Sequence, residues 1–163
     1  MLITIINHTP IWVWLLFLYL LRKGCNSLKP QIVLPQKTII LPAIFIILSL
    51  HQLLEQFKFA EFWLLGITVG IVSGYMIFNA QIKQMYLTAE QQTILPGSYN
   101  LLILLMTVFI SHYLLAVLVA VNPAAIWSIL NIAISGFTAG AFGFRAASLI
   151  VQQSRLAQYP LKN

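Results

Sequence analysis

The sequence predicts an all-α integral membrane protein built as one bundle of five transmembrane helices. Three observations carry that prediction. The chain of 163 residues is 60% hydrophobic and only 7% charged, with a mean hydropathy of +0.91, whereas soluble domains carry about a quarter charged residues. Nine basic and three acidic side chains are too few to furnish a solvated surface. The apolar residues also fall into five runs near the length needed to cross a bilayer, about 20 residues each. Prolines mark the limits of most of these runs, where they fit a first turn or stop a helix.

The first span is expected over residues 10–24. Thr9 and Pro10 suit its N-cap and first turn, and Arg22 and Lys23 extend it by snorkelling. The amino terminus lacks a basic stretch and a small-x-small cleavage site, so it is expected to be retained. The second span is expected over 38–57, with Pro42 near its start, and the third over 62–80. "LPGSY" offers Ser98 as N-cap for the fourth, over 99–121. "VNPAA" is a tight turn into the fifth, over 124–151, so the last two helices are antiparallel neighbours. The loop 82–97 sets "KQMYL" and "QTIL" around "TAEQ", a pattern open to a short β-hairpin or an irregular loop. Residues 1–163 form a single domain on this reading.

Orientation follows from the basic residues, which favour the cytoplasmic side. Arg22, Lys23, Lys29, Lys37, Lys83, Arg145, Arg155 and Lys162 fall on one side, and only Lys58 on the other. The amino terminus is therefore expected outside and the carboxyl terminus in the cytoplasm. Trp12, Trp14, Trp63 and Trp127 stand at the outer helix ends, as interfacial anchors would. The basic residues cap apolar runs and do not form an aromatic-interleaved patch, so nucleic acid is not an expected partner. Cys25 stands alone, which excludes an intrachain disulfide or a CxxC redox pair. The expected partners are the lipid bilayer and either a second copy of the chain or another membrane protein.

Two glycine stripes predict how the helices meet. Gly66, Gly70 and Gly74 repeat every four residues on the third helix, and Gly136, Gly140 and Gly143 mark the fifth. Glycine lets backbones approach closely where lipid supplies no hydrophobic drive. The third and fifth helices are expected to pack on each other, with a homodimer through one stripe as the rival.

Ionisable residues inside a membrane are the default functional candidates. His112 lies in the fourth helix, about 15 Å from its outer end, and His51 lies about 10 Å from Lys58 on the second. Glu55 follows His51 by one turn. The candidate polar layer is His112, Asn131, Ser135, His51 and Glu55. It reads first as interhelical hydrogen bonding that satisfies buried polar groups; the sharper alternatives are a small-solute or proton path and, on weak evidence, a bis-histidine haem site through His51 and His112. His51, Glu55 and His112 also offer three metal-ligand types, though His-x-x-x-Glu alone is a weak signal. Arg145 reads as a snorkelling residue. The chain has no aspartate, no nucleophile–base pattern and no phosphate loop, which argues against a hydrolase or a two-metal enzyme.

"HTPIWVW" (8–14), "LPGSY" (95–99) and "GFTAGAFGFR" (136–145) occur in that order and resemble a family of small bacterial inner-membrane proteins of unknown function. The resemblance implies a multi-span helical fold and an inner-membrane location, without a mechanism. It also implies an arginine before the tyrosine of the fourth helix, where this chain has His112 before Tyr113. That departure speaks against His112 as an obligatory metal or haem ligand. The expected function is a non-enzymatic structural, accessory or interaction component, with no cofactor and no metal. The alternative is a transporter or channel lined by His112, Asn131, Ser135 and His51, and the third reading is a membrane redox carrier.

Overall fold

The computed structural model describes residues 11–88, 90, 92–122 and 124–158, with residues 12 and 35–37 described by their backbone alone. Among the described residues five α-helices follow one another: α1 (Ile11–Asn26), α2 (Pro35–Glu55), α3 (Ala60–Lys83), α4 (Asn100–Val121) and α5 (Ala125–Gln158). Among the described residues four helical stretches are long and apolar enough to cross a membrane: Thr38–Glu55, Phe57–Lys83 (α3 with the turn before it), Asn100–Val121 and Ala125–Gln158. The described part of α1 has 16 residues, a rise of about 24 Å against a hydrocarbon core of about 30 Å. Residues His8, Thr9 and Pro10, expected to open this helix, lie outside the described residues, as do Pro160 and Lys162.

Several expected limits move. The second helix begins at Pro35 and ends at Glu55, not at 38 and 57. Pro35 needs no amide partner in a first turn, and the chain then reverses through a single 3₁₀ turn, Phe57–Phe59. Pro42 is tolerated within α2. The third helix extends to Ala60 and Lys83 at its two ends, beyond 62–80. The fifth continues to Gln158 rather than stopping near 151, because "VQQSRLAQ" contains no breaker before Pro160. Ser98 caps α4 as expected. Tyr99 is already helical at φ −72°, ψ −18°, and the Ser98 hydroxyl accepts from Asn100 N at 3.1 Å.

The loop 82–97 forms the hairpin, but the sheet has three strands. β1 (Gln31–Ile32), β2 (Tyr86–Leu87) and β3 (Thr93–Leu95) pair antiparallel in the order β1-β3-β2. Gln31 faces Leu95, and Tyr86 and Ile32 both face Ile94. The sheet closes one end of the bundle, burying Val33, Met85, Thr93 and Leu95. Polar ties fasten it there. Gln81 Nε2 donates to Pro96 O at 2.7 Å, Gln153 Nε2 to Val33 O at 3.1 Å, and Ser98 N to Ser27 O at 2.8 Å. A Cβ at Gly97 would overlap the Leu28 carbonyl, so this crossing requires glycine. The basic residues Lys23, Lys29, Lys83 and Arg155 gather toward this sheet end, and Lys58 lies at the other.

α5 is the hub, in contact with α2, α3 and α4, while α1 leans mainly on α4. The most extensive contact is α3 with α5. A Cβ on Gly66 or Gly70 would collide with the carbonyl oxygens of Ala133 and Phe137, and one on Gly74 would sit tightly against that of Ala141 at 3.1 Å. A Cβ on Gly136 or Gly140 would strike those of Trp63 and Ile67. Partners advance together along both chains, so α3 and α5 are parallel, and each glycine Cα–H faces a carbonyl across the seam. The two stripes therefore cover each other within one chain. Gly143 is an exception: its Cβ would meet only Ile46 Cδ1 of α2, at 3.9 Å. The seam follows the four-residue row 136–140–144, where a Cβ on Gly74 would meet Phe144 Cβ at 3.3 Å, and Gly143 falls beside that row toward α2.

Candidate functional site

α1 and α2 flank a gap that their neighbours do not fill. Between α1, α2, α4 and α5 lies a cavity of about 400 Å³, within the range of small-molecule sites. Its walls are apolar, with Leu16 and Leu20 from α1, Phe45 and Leu48 from α2, and Val108 and Phe109 from α4. Its inner polar side chains come from three helices: Ser49 and Gln52 of α2, His112 of α4, and Ser135 and Thr138 of α5. A neighbouring cavity of about 310 Å³ shares Leu16, Gln52, Phe109 and His112 and adds Asn131 and Tyr113. His112 is thus common to both.

The cavity floor is a closed hydroxyl node. Ser49 Oγ donates to the Ser135 carbonyl at 2.9 Å, and accepts from Ser135 Oγ at 2.9 Å and from Trp63 Nε1 at 2.8 Å. One donor and two lone pairs are all used. The node ties α2, α3 and α5 together, and Ser49 and Ser135 are both buried. Beside it, Thr138 Oγ1 donates to Ile134 O at 2.8 Å and stands 3.5 Å from His112 Nε2. Asn131 of α5 stands with His112 in the wall of the neighbouring cavity. Toward the sheet, Leu104, Leu105, Phe78 and Phe142 are buried in the main apolar core, so the cavity ends on close packing.

The structure brings together His112, Asn131 and Ser135 from the expected polar layer. His51 and Glu55 line the rim instead, with side chains 71% and 63% exposed and His51 Nδ1 3.6 Å from Glu55 Oε1. Among the described residues no three His, Cys, Asp or Glu side chains converge on a metal position, so His51, Glu55 and His112 do not form a ligand set. Their one-turn spacing pairs His51 with Glu55 along the surface of α2 rather than turning both inward.

The tryptophans divide. Trp14 is exposed near the start of α1, and the Trp12 side chain lies outside the description. Trp63, expected as an interfacial anchor, turns its indole N–H inward to Ser49. Trp127 Nε1 is buried without a partner. Ser49 and Gln52 were not singled out from the sequence. The available signal was an isolated serine and glutamine in "ILSLHQLL", close to His51 on one helix.

A family model describing a family of unknown function (DUF6622) matches residues 1–158. The chain belongs to that family. The match spans nearly the whole chain, from the opening motif through the end of α5, so the hydroxyl node, the glycine seam and the sheet all fall within the DUF6622 region. No curated protein and no solved structure matches the chain.

Proposed function

We propose that the protein is a five-span protein of the bacterial inner membrane that works without catalytic chemistry, binding an amphipathic small molecule as an accessory or carrier component. The observation that carries this reading is the cavity between α1 and α2. Its apolar walls suit a hydrocarbon chain, and His112, Ser49, Gln52 and Thr138 offer hydrogen bonds to a polar head. The span count is supported by the apolar run of α1, which continues the up-and-down alternation of the other four helices. A cytoplasmic sheet end is supported by the basic residues gathered there. The resemblance carried by "HTPIWVW", "LPGSY" and "GFTAGAFGFR" supports the bacterial inner membrane.

A photoactivatable sixteen-carbon fatty alcohol tests the binding reading. Irradiation of the purified chain should label peptides from α1, α2 and α4 that line the cavity. Leu16→Trp, which fills space shared by both cavities, should lower that labelling about tenfold. Labelling spread evenly over all lipid-facing helix surfaces would refute it.

A second reading is a proton or small-solute path, favoured by the clustering of His112, Asn131 and Ser135 around the cavity. It predicts flux in liposomes that His112→Ala abolishes without unfolding. Equal flux in that variant removes it. An accessory role predicts a membrane partner that remains bound through purification.

A further inference from the structure

A smaller cavity, of about 130 Å³, lies near the sheet end between α1, the β1–α2 connection and α5. It is lined by two cations, Lys23 from α1 and Arg145 from α5. Arg145 is half-buried, and its guanidinium carbon stands 5.3 Å from the centre of the Phe78 ring. An aromatic face holds a guanidinium by cation–π attraction and leaves its edge N–H donors free for an anion.

Among the described residues no carboxylate lines this cavity. The chain's three acidic residues are Glu55, Glu61 and Glu90. Glu55 ends α2 and Glu61 begins α3, at the opposite end of the bundle from the sheet. Glu90 lies in the β2–β3 turn, where its Oε2 accepts from Gln92 Nε2 at 3.3 Å. Arg145 is half-buried in the pocket wall and Lys23 stands exposed at its edge, so an anion entering from outside meets both charges.

Size and surroundings narrow the anion. The volume corresponds to roughly four water molecules at about 30 Å³ each. A phosphate group fits, and a nucleotide does not. Ile32 and Leu34 line the same cavity and are about half exposed, an apolar rim next to the charges. We propose that Lys23 and Arg145 form a binding site for a phosphate group, carried by a phospholipid headgroup or free in solution. Arg145 supplies a planar fork of donors and Lys23 a point charge. The site is separate from the outer cavity: Arg145 is ten residues beyond Ser135 on α5, about 15 Å along the helix. Failure of either proposal leaves the other standing.

The test is native mass spectrometry of the delipidated full chain in detergent, with dioleoyl-phosphatidylglycerol, dioleoylglycerol and inorganic phosphate as probes. Wild type should hold one phosphatidylglycerol and little dioleoylglycerol. Lys23→Gln and Arg145→Gln should each lower that adduct about tenfold, and Arg145→Lys should restore part of it. Circular dichroism and size exclusion report folding, and Lys23→Gln, at the exposed end of α1, carries the test if Arg145→Gln does not fold. Release of the lipid by millimolar inorganic phosphate identifies the phosphate as the group recognised. A phosphate adduct without lipid retention assigns the site to free phosphate. Equal binding of dioleoylglycerol, unchanged retention in folded Lys23→Gln, or no adduct with either phosphate probe overturns the proposal.

Discussion

The α3–α5 seam and the α1–α2 gap are built from the same kind of sequence, apolar helix, yet they pack in opposite ways. Along the seam, glycines bring backbone against backbone, with no room for a single methyl group at Gly66, Gly70, Gly136 or Gly140. Across the gap, Leu16, Leu20, Phe45 and Leu48 face a cavity of about 400 Å³. The difference teaches where stability and binding reside. A helix pair that sets glycine against backbone is held by close packing and Cα–H contacts, so the seam anchors the bundle. Large side chains set on helices that do not touch extensively leave space, and that space is edged by the polar groups of α2, α4 and α5.

The comparison is broken most severely at the seam. Gly70→Leu and Gly140→Leu each drive a side chain into a facing backbone carbonyl, which cannot move aside as a side-chain tip can. Each should destabilise by about 3 kcal/mol or more and reduce folded protein, read by thermal unfolding in detergent. If either variant melts like wild type, the seam is not the anchor. The next effect is expected at the node joining the two regions. Ser49→Val leaves Ser135 Oγ and Trp63 Nε1 without their shared partner, which should cost about 1–3 kcal/mol. A neutral outcome would show that water replaces the hydroxyl.

Smaller effects sharpen the contrast. Gly143→Ala, next to the seam in sequence but facing Ile46 at 3.9 Å, should change stability by no more than about 0.5 kcal/mol. The same unfolding series therefore separates Gly140 from Gly143, and equal losses would contradict the position of Gly143 beside the seam. His51→Ala should be nearly silent in stability, since its side chain is 71% exposed and pairs only along the surface of α2. A large loss there would place His51 within the buried layer.

How much was legible in the sequence depends on periodicity. Glycines at intervals of four declare a helix face, and the structure sets those of α3 against α5. Gly143 shares the face of Gly136 by spacing alone, and only the path of α3 along the row 136–140–144 leaves it beside the seam. Helix ends were legible where proline or serine punctuates them and shifted where polar residues let α5 run on past the apolar core. β1 escaped notice because two residues, Gln31 and Ile32, carry no period and pair with a strand more than sixty residues away. The polar site divided on similar grounds. His112, Asn131 and Ser135 were legible as depth-matched polar residues on neighbouring helices. Ser49 was not, because a lone hydroxyl gains meaning only through the three groups it meets. His51 and Glu55 matched in depth but not in direction, which depth arithmetic along a helix does not supply.

The most direct test of the account is ligand-dependent stability measured on both regions at once. Hexadecanol should raise the unfolding temperature of the wild-type chain with concentration, as mass action requires for a ligand of the folded state. Gly143→Ala should rise in parallel, and Leu16→Trp should not rise at all. An equal rise in Leu16→Trp would contradict the claim that the gap between α1 and α2 is the binding site.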